Sequence, residues 1–211
     1  MDTSYYGHSF GLMVFRDPQY KINIHWTFVE HETLEGYKKG ITYLQEQGWE
    51  IKGIVCDGKR GLFRAFPGIP VQMCQFHQQQ IITRYITKKP KLEAGKELQE
   101  IMRWLSETDK ESFTELLRRW YERWSSFLSE KTIDRDERHW HFTHKRLRSA
   151  YRSLKSNLPY LFTWYDNYQL GIPNTTNSLE GTFSNIDNKL RVHAGLKSHR
   201  KQLFVSHLLT S

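Results

Sequence analysis

Strand-like and helix-like patterns of apolar and polar residues follow one another along the first 75 positions, and the first two strand-like runs predict paired strands. Residues 10–16 and 20–29 are rich in β-branched and aromatic side chains, and a polar turn around Pro18 separates them. Two such runs joined by a short turn are typical of a β-hairpin. The sequence therefore predicts a β-hairpin near the N-terminus.

The next pattern has helical spacing and is followed by short apolar runs. Residues 34–47 place apolar side chains three or four positions apart and end before Gly48, which predicts a helix with a glycine stop. The runs 51–56 and 71–76 have the length and composition of buried strands. A helix that crosses back to a parallel strand predicts an α/β sheet.

Beyond residue 77 the pattern is helical almost throughout. Pro173 interrupts it, and Asn177 or Ser178 can cap the helix that follows. The predicted helices cover residues 78–87, 91–106, 110–128, 140–154, 158–165, 179–191 and 198–209. The sequence thus predicts an α/β sheet with a helical block attached.

Composition excludes several classes of protein. The 211 residues are 38% hydrophobic and 14% aromatic, which excludes a mainly disordered chain. No apolar run approaches the roughly 20 residues that cross a bilayer, and the N-terminus lacks a secretory signal, so we expect a cytoplasmic protein. Cys56 and Cys74 are the only cysteines, which excludes a disulfide framework.

The net charge of +8 is concentrated in the last third of the chain. Residues 1–140 carry 21 basic and 20 acidic side chains, whereas residues 141–211 carry 10 and 3. Segregated positive charge favours a polyanionic partner, with nucleic acid first and a membrane surface second. A solvated basic surface is the alternative.

Three acidic residues stand where the predicted elements can bring them together. Asp2 opens the chain, Asp57 follows the predicted strand 51–56, and Glu180 lies in the first turn of a predicted helix. Carboxylates grouped around two Mg²⁺ ions are what phosphoryl transfer by two metals requires. Taken singly, each residue also has a structural explanation, as a terminal residue, a turn former or a favourable helix-start charge.

Three motifs resemble one family of enzymes. They are Asp2-Thr3-Ser4-Tyr5-Tyr6-Gly7, the segment Ile54-Val55-Cys56-Asp57-Gly58 with Phe66-Pro67 and Gln72-Met73-Cys74-Gln75-Phe76-His77, and Asn174-Thr175-Thr176-Asn177-Ser178-Leu179-Glu180-Gly181. In this order they are similar to Mutator-like (MULE-type) bacterial insertion-sequence transposases. The resemblance spans nearly the whole chain, and its two longer motifs are together specific.

The resemblance implies a fold and a function. It implies an RNase H-like mixed sheet core with an all-helical insertion before the last catalytic acid. Residues 1–90 would form the first part of the core, 91–170 the insertion and 171–211 the helices that complete the core. It implies catalysis and metal binding by Asp2, Asp57 and Glu180, with Mg²⁺ or Mn²⁺, transposon-end and target DNA as partners, a homo-oligomer and a nucleoid-associated location.

Cys74 and His77 form a Cys-x-x-His pair that has several interpretations. The spacing supplies half of a zinc site, and His139, His141 and His144 form only a loose second group. In the similar transposases this element lies near the active site, which implies a supporting contact of His77 to DNA or to the scissile phosphate. A histidine that caps the next helix is the structural alternative.

The helix that carries Glu180 offers a DNA-binding hypothesis. Arg191 follows eleven positions later, which returns it to within roughly 20° of Glu180 at about 16 Å along the axis. Five residues are therefore predicted to bind phosphates, namely Lys189, Arg191, Lys197, Arg200 and Lys201. A basic helix end in solvent is the alternative.

Two other functions stay open from the sequence. One is a DNA-binding fragment of a decayed transposase without catalysis, because the strand of the first aspartate is expected to extend before Asp2, as in a truncated chain. The other is an RNase H-like nuclease that does not join strands. The leading prediction is a transposase domain that cleaves transposon ends and transfers the strand to target DNA.

Overall fold

An antiparallel meander of three strands opens the chain. In this computed structural model, which describes residues 1–7, 10–59, 61–133 and 139–210, its strands are β1 (Asp2–Tyr6), β2 (Phe10–Asp17) and β3 (Ile22–Val29). The predicted hairpin is confirmed as β2 and β3. The central strand β2 is buried on both faces, because Leu12, Met13 and Val14 are all inaccessible to solvent.

Helix α1 (Leu34–Glu46) leads to a second, parallel pair of strands, β4 (Ile54–Cys56) and β5 (Val71–Met73). The predicted helix is confirmed, and Gly48 follows it with a positive φ of 87°. Both strands are shorter than predicted, because the sheet pairing covers three residues of each strand.

One hydrogen bond links the two sheets. The Met1 amino group donates to the Val55 carbonyl at 2.8 Å, which brings the start of β1 beside β4. Asp2 therefore lies close to the carboxyl end of β4, where Asp57 follows. A mixed α/β fold is confirmed.

A helical block follows the parallel strands and has its own core. Its helices are α2 (Gln75–Ile86), α3 (Glu93–Arg103), α4 (Lys110–Ser129), α5 (Lys145–Leu161) and the short α6 (Thr163–Asp166). Ile82 of α2 belongs to the same buried cluster as Leu98, Phe113 and Leu154. Helix α2 therefore packs in the core of the block, although it lies within the predicted segment 1–90.

The expectation of an all-helical insertion is wrong. Strands β6 (Lys131–Ile133) and β7 (Trp140–Phe142) pair antiparallel inside it. The predicted helix 140–154 therefore begins only at Lys145, because the aromatic residues Trp140 and Phe142 favour a strand.

The expected break between residues 154 and 158 is also absent. Helix α5 continues through Pro159, and its buried residues Leu147, Leu154 and Leu161 keep one face in the core along its whole length. This burial outweighs the hydrogen bond that the proline removes.

Two long helices return to the meander and cover it. They are α7 (Asn177–Val192) and α8 (Ser198–Thr210), close to the predicted bounds. Leu179, Phe183 and Ile186 of α7 form one buried cluster with Leu12 and Val14 of β2. The first turn of α7 is thereby fixed next to β1. Within the described part of the chain, no helix is long and apolar enough to cross a membrane.

Candidate metal-binding site

Three side chains that are far apart in sequence converge beside the start of β1. One ligand atom from each of Asp2, His77 and Glu180 lies within 4.8 Å of the others. Asp2 comes from β1, His77 from the first turn of α2 and Glu180 from the first turn of α7. The sheet, the helical block and the C-terminal helices thus each contribute one group.

Asp2 is a buried carboxylate. Its side chain belongs to a residue that is 7% exposed, and its Oδ1 accepts a hydrogen bond from the Thr3 amide at 2.8 Å. Burial, with the negative charge of Asp57 in addition, raises the pKa of Asp2 to about 6. A cation bound to Asp2 would favour the charged carboxylate and so lower this pKa again.

Glu180 is positioned by contacts between two of the sequence motifs. The Cys74 sulfur accepts hydrogen bonds from the Thr176 amide and the Thr176 hydroxyl, both at 3.3 Å. The Gln75 amide donates to the Asn174 carbonyl at 2.9 Å, and the Asn174 side chain returns a hydrogen bond to Gln75 Oε1 at 3.0 Å. These contacts fix the start of α7 against the start of α2.

The same contacts explain the N-terminus of α7. Its N-cap is Thr176, not the predicted Asn177 or Ser178, and the Thr176 side chain makes no capping hydrogen bond. The hydroxyl is already engaged with Cys74. Local capping is therefore replaced by a long-range contact that orients the helix.

His77 lies between the sulfur of Cys74 and the carboxylate of Glu180. Its Nε2 is 3.1 Å from Glu180 Oε1, and its Nδ1 is buried without a hydrogen bond of ordinary geometry to the described residues. The interaction with the Cys74 sulfur, helped by the charges of Asp2 and Glu180, raises the pKa of His77 to about 9. His77 is therefore protonated at neutral pH and forms an ion pair with Glu180.

Cys74 is buried, and its sulfur interacts with His77 of the cluster. Burial by itself would raise the pKa of the thiol, but the interactions with His77 and Thr176 outweigh burial and hold that pKa below its usual value. Its sulfur is not part of the group of possible metal ligands. Of the two predicted supporting residues, Cys74 and His77, it is His77 that contacts Glu180 directly.

Asp57 lies beside this cluster and not within it. Its Oδ1 accepts a hydrogen bond from the Lys59 amide at 3.0 Å, in the turn after β4. Its charge is near enough to contribute to the raised pKa of Asp2. The structure thus brings Asp2 and Glu180 together and leaves the Asp57 carboxylate in a turn next to them.

The group combines two carboxylates and one imidazole, side chains that could hold a metal ion. Carboxylate oxygens suit Mg²⁺ and Mn²⁺, whereas imidazole is favoured by softer metals such as zinc. Asp2 and Glu180 would supply the oxygens, and the Asp57 carboxylate lies outside the group. His77, when protonated, is a partner for Glu180 and not a ligand. His144 is engaged elsewhere, with its Nε2 2.9 Å from Glu130.

The five predicted DNA-binding residues lie away from the cluster. Lys189 and Arg191 are exposed and lie in the last turn of α7, at the opposite end of the helix from Glu180. Arg191 pairs with Asp187 at 2.7 Å, which offsets part of its charge. Lys197, Arg200 and Lys201 lie just before and within the first turn of α8, and Lys201 is half-buried.

Sequence reasoning missed the structural glutamines around the site. Gln72 and Gln75 are buried, and their side-chain amides both donate to the Leu161 carbonyl, at 2.9 and 3.0 Å. Gln72 Oε1 also accepts from the Trp164 amide at 2.9 Å. A glutamine inside an apolar strand was the available signal, because a buried amide needs partners.

Comparisons with protein-family models, with curated proteins and with solved structures gave no match.

Proposed function

We propose that this chain is the catalytic domain of a DDE-type DNA transposase. The observation that carries the proposal is the convergence of Asp2 and Glu180, which are 178 positions apart, beside Asp57. The chain would cleave phosphodiester bonds at transposon ends and join the freed 3′-OH to target DNA. Pairing of two ends implies a homo-oligomer on DNA.

The strand arrangement supports the finer fold assignment. An antiparallel meander has its first strand next to a parallel pair, and a helix connects the two groups. An RNase H-like core has these parts in this order, as the sequence motifs imply. The helical block between α2 and α7 would be its insertion.

Each side chain of the site has a proposed role. Asp2, Asp57 and Glu180 would hold Mg²⁺ or Mn²⁺, which would supply positive charge to the attacking and leaving oxygens of the phosphodiester. The ion pair with His77 holds the Glu180 carboxylate in place. His77 also presents a positive charge beside the position of the scissile phosphate, where negative charge develops during the reaction.

The test uses duplex DNA with the sequence that flanks the coding region, end-labelled, and a supercoiled plasmid as the target. Cleavage and joining are measured with Mg²⁺ or Mn²⁺ for wild type, Asp57→Asn and Glu180→Gln. We expect both variants to lose at least about a hundredfold in rate. The matched control is Asp187→Asn, on the same helix as Glu180 but half-buried and paired with Arg191.

The products separate the three candidate functions. Cleaved and joined products that depend on Asp57 and Glu180 support a transposase. Cleavage without joined products would make the chain a nuclease. DNA binding without metal-dependent cleavage would leave a non-catalytic DNA-binding protein, and full activity of Asp57→Asn would reject the proposed site.

A further inference from the structure

Two segments of the chain are basic and contain no acidic residue. Residues 58–92 hold seven Lys and Arg side chains, and residues 139–165 hold five, without one Asp or Glu in either segment. The first segment includes α2 and the second includes α5. Half of the ten basic residues after position 140 therefore lie on α5 and not on the C-terminal helices.

Helices α2 and α5 lie side by side and run in opposite directions. At the end near the site, the Gln75 side chain donates to the Leu161 carbonyl at 3.0 Å. At the far end, Arg146 donates to the Arg84 carbonyl at 2.6 Å. The helix pair therefore starts at the metal cluster and extends away from it.

The exposed basic side chains of the pair lie away from the buried core of the helical block. On α5 the buried residues Leu147 and Leu154 face the core, while Lys145 and Arg152 are exposed on the opposite side. Seven positions separate Lys145 from Arg152, so they project within about 20° of each other. Arg84 likewise follows His77 by seven positions on α2, at about 10 Å along the axis.

Four of these residues define a basic helix face, and they are Arg84, Lys145, Arg152 and Lys155. All four are exposed, and within the described ranges none of them has an acidic side chain at salt-bridge distance. By contrast, Arg103 and Arg118 on the neighbouring helices α3 and α4 pair with glutamates. The positive charge of the basic helix face is thus left available to a partner.

The chemistry of the basic helix face fits a phosphate backbone. Lys145, Arg152 and Lys155 span about 15 Å of helix, and Ser149 and Ser156 lie between or beside them. Tyr151 is stacked on Tyr121 and Tyr160 on Phe63, so neither ring is presented for base stacking. Cations and hydroxyls contact phosphate and sugar rather than base edges, and the exposed ring of α2, Phe76, lies near the other end of that helix from Arg84.

We infer that the basic helix face binds the backbone of duplex DNA that flanks the reacting phosphodiester. Arg84 would contact phosphate roughly three base pairs from the cluster, given about 3.4 Å of rise per base pair, and the residues of α5 would follow the backbone further out. The choice of DNA rests on the proposed function. The surface itself differs from the one predicted on α7 and α8.

The test measures the affinity for a labelled 30-base-pair duplex by fluorescence anisotropy across a range of KCl concentrations, with EDTA present. The test variant carries Arg84→Gln, Lys145→Gln and Arg152→Gln. The control variant carries Lys38→Gln, Lys39→Gln and Lys52→Gln, three exposed lysines on another surface. Both variants change the net charge equally, so general electrostatic attraction is matched.

We expect the test variant to lose at least about tenfold in affinity and to reduce the salt slope by about 2 to 3, since each phosphate contact contributes about 0.9. The control is expected to change affinity less than about threefold. A salt slope equal to that of wild type, or equal losses in test and control, would overturn the inference. The inference would also be overturned if the test variant lost as much affinity for single-stranded DNA of the same length as for the duplex.

Two features keep this result separate from other failures. Metal is withheld, so a protein that binds through the basic helix face but never cleaves would reject the proposed function alone. Thermal unfolding checks that the variants fold, since exposed substitutions usually change stability by less than about 0.5 kcal/mol. If the triple variant unfolds early, Arg152→Gln alone is expected to reduce the slope by about 0.9.

Discussion

Replacement of Asp2 by asparagine tests whether the site is built to receive positive charge. In the metal-free protein, burial raises the pKa of Asp2 from 3.8 to about 6. The folded state therefore prefers the protonated carboxyl. Because the folded pKa lies above the unfolded one, stability is lost as the pH rises from about 4 through about 6, and the full loss persists above that range.

The size of this effect follows from the shift. About two pKa units at about 1.36 kcal/mol each correspond to roughly 3 kcal/mol. Asparagine does not ionise, so Asp2→Asn avoids this cost, but it weakens the hydrogen bond from the Thr3 amide by about 1 kcal/mol. We therefore expect the variant to be about 2 kcal/mol more stable than wild type at pH 8, and no more stable at pH 4.

The assay is urea unfolding of wild type and Asp2→Asn in EDTA, at intervals from pH 4 to pH 8. Addition of Mg²⁺ or Mn²⁺ then stabilises wild type and leaves Asp2→Asn nearly unchanged, because a ligand stabilises only the state that binds it. Parallel pH curves for the two proteins would refute the reasoning. A variant that is less stable than wild type at pH 8 would refute it as well.

Three further substitutions test the surroundings of the site. His77→Gln removes an ion pair whose histidine has a folded pKa of about 9 against 6.5 when unfolded. The free energy of unfolding of wild type is therefore expected to exceed that of the variant by up to about 3 kcal/mol below pH 6.5, and by little above pH 9. A difference in urea unfolding that does not depend on pH would contradict this. Gly58→Ala and Gly48→Ala both place a side chain at positive φ, but only at Gly58 would the new Cβ meet Met73, at 2.6 Å. Both are therefore expected to cost about 1 kcal/mol, and because the atom met at Gly58 is the flexible end of the Met73 side chain, Gly58→Ala is expected to cost less than about 1 kcal/mol more than Gly48→Ala; a larger difference in the free energy of unfolding would contradict this. Gln72→Leu leaves the Trp164 amide without its acceptor and is expected to lower the free energy of unfolding by about 1–3 kcal/mol. Gln80→Leu, at an exposed position, is expected to change it little. Similar losses for the two variants would show that the buried hydrogen bonds of Gln72 do not stabilise the fold.

The sequence predicts the elements whose hydrophobic pattern is continuous. The hairpin of β2 and β3, the helix α1 and the helices α7 and α8 lie close to their predicted bounds, because each has a run of residues long enough to show strand-like composition or helical spacing. Strands β6 and β7 were missed, since three residues are too few for a period to show. The course of α5 through Pro159 depends on packing against α2 and α4, which no local pattern contains.

The site was predictable in part. The motifs place Asp2 and Glu180 in one site, and their close approach agrees with that expectation. The contact between His77 and Glu180 was not predictable, because it depends on hydrogen bonds between Cys74 and Thr176, 102 positions apart. The turn that holds the Asp57 carboxylate against the Lys59 amide is a local feature of the folded chain.

The hydrogen bonds to the Leu161 carbonyl have a consequence for how this protein can change over evolution. Gln75 stands where the chain leaves the sheet and Leu161 where it returns, 86 positions later, so the helical block is a long loop closed at its base. The entropy of closing a loop grows slowly, by about 0.6 kcal/mol for each doubling of length. The number of residues between Gln75 and Leu161 can therefore change at little cost in closure entropy while the base of the block stays closed. The length of the helical block and the geometry of the Asp2 and Glu180 carboxylates can therefore change independently of each other.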